Sequence, residues 1–574
     1  MENDGPKKIE GNKKQGGRIF DAVYGYIELN EAEFALVTSP IFQRLHWIKQ
    51  LGPLHTVFPS AQHSRFSHTL GVFHIVKKMI EHLDNRYKKD TKNRSGYEFY
   101  PQEKDAAIFK PEKDAAAILR FASLLHDIGH VPLSHVGEIV LEKVVKEKFK
   151  AEQRYVASTK KIDLFSDKIK QDWRDLAPEK YRGDHTKLHE WLSAEIVLHN
   201  EEIDTVLSQE WPDDNQRTEA KRRIAQIIVG KDEMHVPTLL LHSELDADRL
   251  DYLLRDSFFT GVGYGKIELD YIISRLCIHR DKKGVATLCV EDKGLHTIEH
   301  FILGRFFLQT QVVYNRKVRL VDLLFGDVLK YMVKAGEKQQ EWGIMNLQEF
   351  LYHIINNKGG GKRVHLHKIY EYTDAEIFVK MRQLHKRLDK RQKKKKEKAT
   401  PYECYINDCI KIIMDGKIDG PVIAAQRLVD LEKYSNHKKK ISEELEEEGN
   451  KIAKKIAKKN HLSPERIKVN VVEQEVMKYR KRREAKDDIE EVNKEAVKIT
   501  GSNQHEWKFA AESNATILRD LHDKALIILN VYYIPSKNAP NAEVEKEKEK
   551  YGEIIKREFD GFVKKHFYGD FGCG

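Results

Sequence analysis

The chain has 574 residues, of which 100 are Lys or Arg and 90 are Asp or Glu, so the formal net charge is +10. Hydrophobic residues make up 40% and charged residues 33% of the chain, a balance that supports a sizeable core and excludes a fibrous or wholly disordered protein. No stretch approaches the roughly 18 apolar residues of a membrane span, and the N-terminal residues lack an apolar signal core. We therefore expect a cytoplasmic protein without membrane contact.

The first 17 residues are rich in Gly, Lys and Asn, and we expect a mobile segment there. Two later segments carry apolar residues at helical spacing, and they predict one helix after His68 and another that ends before His126. Gly129 and Pro132 follow the second run, as is typical where a helix ends. The hydrophilic stretches at about 84–112 and 145–185 are interpreted as surface insertions.

Beyond about residue 375 the composition becomes more basic. Lys386–Lys398 contains nine basic residues against two acidic ones, and further basic runs occupy Lys451–Lys459 and Lys478–Arg483. The β-branched and aromatic runs Arg466–Val472 and Ala525–Pro535 predict a small sheet. We thus predict a mainly α protein, with a helical core at 18–375 and a smaller basic α+β region at 376–574.

The cysteines do not indicate a disulfide framework or a zinc site. None of the five has zinc-ligand spacing, and we interpret them as reduced thiols. They are Cys277, Cys289, Cys404, Cys409 and Cys573.

An adjacent pair, His126-Asp127, stands at the end of the second apolar helix. Burying an imidazole and a carboxylate together is costly unless both find partners, and a divalent ion that accepts N and O ligands satisfies both. His68 opens another apolar helix, and Asp248 lies early in a third, within Leu245–Gly263. This set of two His and two Asp would leave room for water or phosphate oxygens, where a metal lowers the pKa of bound water.

With these flanks, the order His, His-Asp, Asp resembles the HD-domain phosphohydrolases. It is more narrowly similar to the deoxynucleoside triphosphate triphosphohydrolases, both the bacterial enzymes and the animal sterile-alpha-motif HD-domain enzyme. The resemblance covers about residues 18–330 in one collinear order. The matching segments are 24–29, 42–45, 48–52, 57–59, 65–72, 126–130, 132–135, 189–190, 246–256 and 314–317.

The resemblance implies roles for individual residues. The metal ligands would be His68, His126, Asp127 and Asp248. The catalytic group would comprise His130, His135, Glu138 and His189, with His135, oriented by Glu138, as the acid that protonates the leaving 5′-oxygen. The substrate contacts would be Arg65 at the α-phosphate, Arg249 and Lys317 as basic contacts, and Gln50, Tyr252, Asp256 and Tyr314 near the sugar.

The implied reaction is attack on the α-phosphorus of a dNTP, giving a deoxynucleoside and inorganic triphosphate. The cofactor would be Mn, Mg, Fe or Ni, and the assembly a homo-oligomer, dimer or tetramer. Regulated members of this family sense a guanine nucleotide at a subunit interface, but this chain departs from their pattern at the corresponding residues. These are Gly17, Arg18, Phe20, Thr38 and His46, so we do not expect dependence on a guanine activator.

Two other functions stay open on the sequence. One is an HD-type phosphodiesterase or nuclease whose basic C-terminal region holds single-stranded nucleic acid, since clustered cations gain from counterion release. The other is a catalytically silent nucleotide sensor. The default interpretation of the lysine runs is a solvated surface, and that of the amphipathic run Lys451–Lys459 is a helix packed on the core.

Overall fold

The fold is taken from a computed structural model. It describes residues 16–92, 113–144, 187–230, 235–280, 286–336, 372–393, 399–431, 440–477, 496–500, 507–537 and 541–568. Several predictions fall wholly or mostly outside these residues: the N-terminal segment, the two insertions, the Lys478–Arg483 run, the end of the Lys386–Lys398 run, and Cys573.

The protein is mainly α-helical, as predicted. The helices, in chain order, are α1 Glu31–Val37, α2 Pro40–Gln43, α3 Arg65–Lys92, α4 Lys113–Leu125, α5 Leu188–His199, α6 Glu201–Leu207, α7 Asp214–Ile228, α8 His235–Leu241, α9 Ala247–Thr260, α10 Leu269–Ser274, α11 Leu295–Leu308, α12 Arg316–Gly336, α13 Asp374–Lys393, α14 Pro401–Asp415, α15 Ile441–Lys459, α16 Leu518–Leu521 and α17 Asn541–Val563. Residues 135–144 are also helical.

Nine short strands in the described residues form three small sheets. They are β1 Arg18–Asp21, β2 Gly25–Glu28, β3 Leu276–Arg280, β4 Ala286–Glu291, β5 Ile423–Asp430, β6 Ile467–Glu475, β7 Lys498–Thr500, β8 Trp507–Phe509 and β9 Lys524–Tyr533. The first sheet is the antiparallel pair β1-β2, the second has the order β3-β4-β7-β8, and the third has the order β5-β9-β6. In the second sheet β7 runs parallel to β4, whereas all pairs of the third sheet are antiparallel.

The helices predicted around the candidate site are confirmed. Helix α3 begins at Arg65, α4 ends at Leu125, and α9 ends at Thr260. The next residue, Gly261, has a φ of 77°, the left-handed conformation of a glycine cap. Apolar residues of α3 and α4 at the predicted spacing are buried, among them Val72, Val76, Phe121 and Leu125. The apolar periodicity therefore reflects the faces that these helices turn to the core.

A separate hydrophobic cluster forms around the third sheet. Strands β6 and β9 confirm the predicted small sheet, and α15 and α17 pack on one face of it through residues such as Ile456, Leu529 and Phe559. The run Lys451–Lys459 lies in α15, where Ala453, Ile456 and Ala457 are buried and the lysines are exposed. The prediction that this run packs as a helix is confirmed, and its apolar side packs on the third sheet.

The C-terminal part of the chain also joins the first core. Buried side chains of α13 and α14, such as Leu384 and Tyr405, belong to the same hydrophobic cluster as α3 and α4. The opposite face of the third sheet contacts α12, where the Tyr532 hydroxyl donates to the Arg316 carbonyl at 2.6 Å. The domain boundary at residue 375 stays a prediction, because side chains from both sides of it share one core. Among the described helices, none is long and apolar enough to cross a membrane.

Candidate metal centre and its surroundings

Three segments bring the four predicted metal ligands together. His68 lies in the first turn of α3, His126 and Asp127 directly follow α4, and Asp248 lies in the first turn of α9. The Nε2 atom of His68 is 3.6 Å from Asp127 Oδ2 and 3.0 Å from Asp248 Oδ1, and the Nε2 atom of His126 is 3.5 Å from Asp127 Oδ1. Asp248 is the most open of the four, with 35% of its side chain exposed.

Both imidazoles are oriented through their Nδ1 atoms. His68 Nδ1 lies 2.7 Å from the Asp251 carboxylate, and His126 Nδ1 lies 2.7 Å from the Ser123 carbonyl. Their Nε2 atoms are buried and make no hydrogen bond within the described part of the chain. Imidazoles that are held through Nδ1 while Nε2 lies beside carboxylate oxygens are typical of histidines that bind a metal.

The partner of His68 belongs to a buried ion-pair network that the sequence did not reveal. Asp251 is bound by Arg255 at 2.9 and 3.0 Å, and Arg255 in turn binds Asp21 of β1 at 2.8 Å. Arg255 therefore forms a buried structural ion pair, and Asp251 is a buried carboxylate and not one on the exposed surface of the helix. A Cβ at Gly71 would lie 1.8 Å from Asp251 Oδ1, so only glycine lets α3 approach α9 this closely.

The electrostatics of the cluster favour a bound cation. Burial alone would lower the pKa of His68, but the carboxylates of Asp248, Asp251 and Asp127 outweigh it and raise that pKa to about 10. Burial would raise the pKa of Asp127, yet Arg65, His126 and His130 hold it well below its usual range. A cluster of ionised carboxylates beside two imidazoles that point inward suits a divalent ion. His68, His126 and Asp127 place one ligand atom each within 4.8 Å of the others and could hold one.

The four predicted catalytic residues form a second cluster that shares Asp127 with the first. His130 Nε2 is 3.2 Å from Asp127 Oδ1, and Glu138 Oε1 is 2.6 Å from His130 Nδ1 and 3.0 Å from His189 Nδ1. The rings of His130 and His189 stack at 3.9 Å. His135 lies at the rim, with 63% of its side chain exposed and its Nδ1 3.2 Å from Glu138 Oε2.

The surroundings of His130 and Glu138 set the charges of these two residues. Burial, with Arg65 and His189 nearby, lowers the pKa of His130 to about 3, so His130 is neutral near pH 7. The imidazoles of His130, His189 and His135 outweigh the burial of Glu138 and hold the pKa of its carboxyl well below its usual range. An ionised Glu138 thus contacts three imidazoles, of which only His135 is exposed.

Arg65 and Gln50 lie against the same two clusters. The Arg65 guanidinium is buried and donates to Asp127 Oδ2 at 2.6 Å, to Ser134 Oγ at 3.0 Å and to the Gln50 carbonyl at 3.3 Å. The Gln50 side chain is buried, and its Oε1 has no hydrogen-bond partner among the described residues. Both residues are therefore beside the candidate metal ligands, as the resemblance implies.

The remaining predicted substrate residues occupy different environments. Arg249 donates to Asp246 at 2.5 Å, and Tyr252 is half-buried against the core. Asp256 is buried and lies 2.8 Å from His63 Nε2, so its carboxylate is engaged by a histidine for which the sequence suggested no site role. Tyr314 follows the π-helical turn Gln309–Val313, and Lys317 is exposed at the start of α12.

One segment of the chain matches a known protein family. Residues 65–256 match the family model of the HD domain, and the resemblance is confirmed at that level for this segment. The match spans α3 to most of α9, the segment that supplies all four candidate metal ligands.

Two curated proteins illustrate how similar the chain is to its relatives. The chain is 26% identical over 312 residues to the uncharacterized protein YwfO of Bacillus subtilis, covering 54% of each chain. It is 27% identical over 361 residues to the deoxynucleoside triphosphate triphosphohydrolase SAMHD1 of Xenopus laevis, covering 58% of this chain and 50% of the relative. The chain thus spans about half the length of the curated relatives it matches.

Solved structures share the fold over most of the chain. A phosphohydrolase from Bacteroides thetaiotaomicron aligns with a TM-score of 0.55 at 19% identity, covering 90% of this chain and 100% of the other. A hypothetical protein from Aquifex aeolicus aligns with a TM-score of 0.53 at 21% identity, covering 95% and 100%. The HD domain and a cluster able to hold a metal ion together support a metal-dependent phosphohydrolase.

Proposed function

We propose that the protein hydrolyses deoxynucleoside triphosphates to deoxynucleoside and inorganic triphosphate. The observation that carries the proposal is the convergence of His68, His126, Asp127 and Asp248, with the second cluster of imidazoles directly beside it. The similarity to a deoxynucleoside triphosphate triphosphohydrolase over 361 residues favours a dNTP over other phosphate esters.

In this proposal the two His and two Asp hold one divalent ion, Mn, Mg, Fe or Ni. When bound, such an ion lowers the pKa of a coordinated water and polarises a phosphoryl oxygen. Nitrogen and oxygen ligands are compatible with all four metals.

Arg65 is positioned to bind the α-phosphate, because its planar guanidinium lies in the wall of the site beside Asp127. His135 donates the proton to the leaving 5′-oxygen. It is the exposed imidazole of the second cluster, and Glu138 binds its Nδ1, which leaves Nε2 available. His130 is neutral at physiological pH and lines the phosphate side together with His189.

The deoxyribose would be recognised by Gln50, Tyr252, Asp256 and Tyr314, with Arg249 and Lys317 as further basic contacts. The unpartnered Gln50 Oε1 is an available acceptor for a sugar hydroxyl. Asp256 can accept such a hydrogen bond as well, while His63 keeps its carboxylate oriented.

The test is a nucleotide panel. Purified protein is incubated with Mn²⁺ or Mg²⁺ and each of the four dNTPs, and inorganic triphosphate and deoxynucleoside are separated by ion-exchange chromatography. We expect equal amounts of both products, and none in the presence of a chelator. Release of inorganic phosphate or pyrophosphate instead of triphosphate would contradict the proposal.

A second candidate is a phosphodiesterase or nuclease on single-stranded nucleic acid. It is favoured by one observation, the five exposed lysines on α15, at 451, 454, 455, 458 and 459. A labelled oligonucleotide in the same panel distinguishes the two, since cleaved strand without triphosphate supports the nuclease. If neither product forms but a nucleotide binds, the protein is a sensor.

We further propose that the protein acts in the cytoplasm as a homo-oligomer, a dimer or tetramer, without a guanine activator. Light scattering coupled to gel filtration gives the oligomer mass. Turnover of each dNTP with and without added GTP or dGTP tests the activator, and we expect the two rates to agree.

A further inference from the structure

Asp374 links two loops of the candidate active site, although it lies far beyond the end of the HD match at residue 256. It is the first residue of α13, and only 5% of it is exposed. Its Oδ1 accepts the backbone N–H of Leu133 at 2.7 Å, and its Oδ2 accepts the backbone N–H of Lys49 at 2.8 Å. One carboxylate therefore joins the 133–134 turn to the loop that precedes Gln50.

The turn that Asp374 binds has a strained backbone. Leu133 and Ser134 have φ values of 63° and 52°, the left-handed region that non-glycine residues rarely adopt. Such a conformation is unfavourable for a residue with a side chain and persists only where its surroundings impose it. The hydrogen bond from Leu133 to Asp374 is one of the contacts that impose it here.

This turn sets the positions of the groups proposed for phosphate binding and proton transfer. Ser134 Oγ accepts from Arg65 Nε at 3.0 Å and donates to the Lys49 carbonyl at 2.6 Å. The helix that carries His135 and Glu138 begins at the next residue. A shift of the turn would therefore move Arg65 and Glu138 relative to Asp127.

The residues just before Asp374 bind the other end of the same loop. The Tyr372 carbonyl accepts from Arg44 Nη1 at 3.0 Å, and Arg44 Nη2 donates to the carbonyls of Ile128 and His130 at 2.8 Å each. Arg44 is fully buried. Residues 372–374 thus hold the loop between Asp127 and His135 near both of its ends.

The contact comes at a cost in stability. Burial raises the pKa of Asp374 to about 6, so an ionised Asp374 is unfavourable in the folded protein even with two N–H donors. A carboxylate whose burial lowers stability is more readily explained by a role in the candidate active site than by a contribution to the stability of the fold.

We propose that Asp374 is a positioning residue of the active site, which holds the Leu133–Ser134 turn against the Lys49 loop and so fixes Arg65, His135 and Glu138. Residues 372–374, at the start of α13, then support the active site although they lie beyond the end of the HD match. The proposal rests on the proposed hydrolase function for its catalytic consequence, but not for its geometry.

The experiment compares Asp374→Asn with the matched control Glu376→Gln, which changes a carboxylate two residues further along the same helix turn, on a half-buried side chain paired with Lys380 at 3.8 Å. The Asn variant keeps the shape and one acceptor but places an NH₂ group against the other backbone N–H. We expect kcat for dNTP hydrolysis to fall roughly tenfold, with a smaller change in KM, because small misplacements of catalytic groups lower the rate steeply. Affinity for Mn²⁺, measured by calorimetry, should stay within about twofold of wild type, since no proposed ligand is touched.

Hydrogen exchange supplies a readout that does not depend on turnover. In full-length Asp374→Asn, peptides that contain the amides of Leu133 and Lys49 should exchange faster than in wild type, and the control should match wild type. Unchanged exchange in both peptides, or unchanged kcat, would overturn the proposal. A wild-type protein that releases no triphosphate would refute the proposed function, and the exchange data would still decide whether Asp374 holds the turn.

Discussion

The HD region, residues 65–256, and the third sheet with α15 and α17 bury different kinds of side chains. Around His68 the interior contains Asp127, Asp251 and Arg255, all with at most 3% of the residue exposed. The cluster around β9 is built instead from Leu, Ile, Val and Phe side chains, while the lysines of α15 face solvent. Charged side chains are buried together around His68, whereas the hydrophobic cluster of the third sheet consists of uncharged side chains.

This difference indicates that the buried charged residues have a functional role, whereas the buried apolar residues stabilise the fold. Buried ion pairs are weak evidence for stability, because desolvation offsets much of their attraction. Their concentration in the HD region, where they orient His68 and Asp127, therefore points to function. The predictions below ask whether the two regions respond to substitution as this comparison requires.

Asp127→Asn should have the largest effect. It replaces a candidate metal ligand by an isosteric amide, and we expect triphosphate release to fall at least roughly a thousandfold, since about 4 kcal/mol of transition-state stabilisation would be lost. Turnover and circular dichroism are measured together. Asp389→Asn, on the partly exposed side of α13, is the control and should retain wild-type turnover. Near-normal activity of Asp127→Asn would refute the site.

Leu529→Ala tests the apolar region. Leu529 is fully buried in the third sheet, so truncation removes buried area and leaves a cavity, and we expect a loss of about 2–5 kcal/mol in the free energy of unfolding. Urea unfolding measures the loss. Mn²⁺ affinity below the transition should match wild type, whereas a parallel loss of affinity would show that the two regions are not separable in this way.

The pH dependence of stability tests the burial of Asp374. Its folded pKa of about 6 lies above the ordinary value near 3.9, so its contribution is greatest below about pH 4 and is lost as the pH rises through 6. The expected loss is on the order of 3 kcal/mol. The free energy of unfolding is measured with urea at several pH values, and in Asp374→Asn it should not show this fall between pH 4 and 6. The same pH dependence in variant and wild type would contradict a raised pKa for Asp374.

Asp251→Asn tests the residue that orients His68. The amide keeps the shape but weakens the hydrogen bond to Nδ1, and we expect Mn²⁺ affinity to fall about 10- to 100-fold, as for other residues that orient metal ligands. Titration calorimetry gives the affinity. Asp270→Asn, whose exposed carboxylate pairs with Lys78, serves as the control. An unchanged affinity would assign Asp251 to the Arg255 ion pair alone.

Replacing exposed lysines of α15 should have the smallest effect. Serine at 454, 455 and 458 leaves the buried Ile456 and Ala457 in place, and we expect each change to alter the free energy of unfolding by less than about 0.5 kcal/mol. Turnover of dNTPs should not change. A large loss of stability would mean that these side chains do more than face solvent.

The sequence was sufficient to predict the local features of the site. Helical spacing predicted α3 and α4, Gly129 and Pro132 predicted the end of α4, and the His126-Asp127 pair marked the centre of the ligand cluster. Such signals are contained within a few neighbouring residues, which is why they can be read without a structure. The roles of Asp251, His63 and Asp374 could not be predicted, because nothing in the neighbouring sequence tells whether a carboxylate or an imidazole is solvated or buried.

What distinguishes these residues is contact across the chain. Asp251 meets His68 across 183 positions, and Asp374 meets Leu133 across 241. Periodicity and residue type decided which segments are helical and which side chains could bind a metal. The packing of α3 against α9, and of the start of α13 against the Lys49 and Leu133 loops, decided which carboxylates were removed from water and which imidazole or amide each of them holds. Desolvation and hydrogen bonding depend on neighbours that only the folded chain supplies.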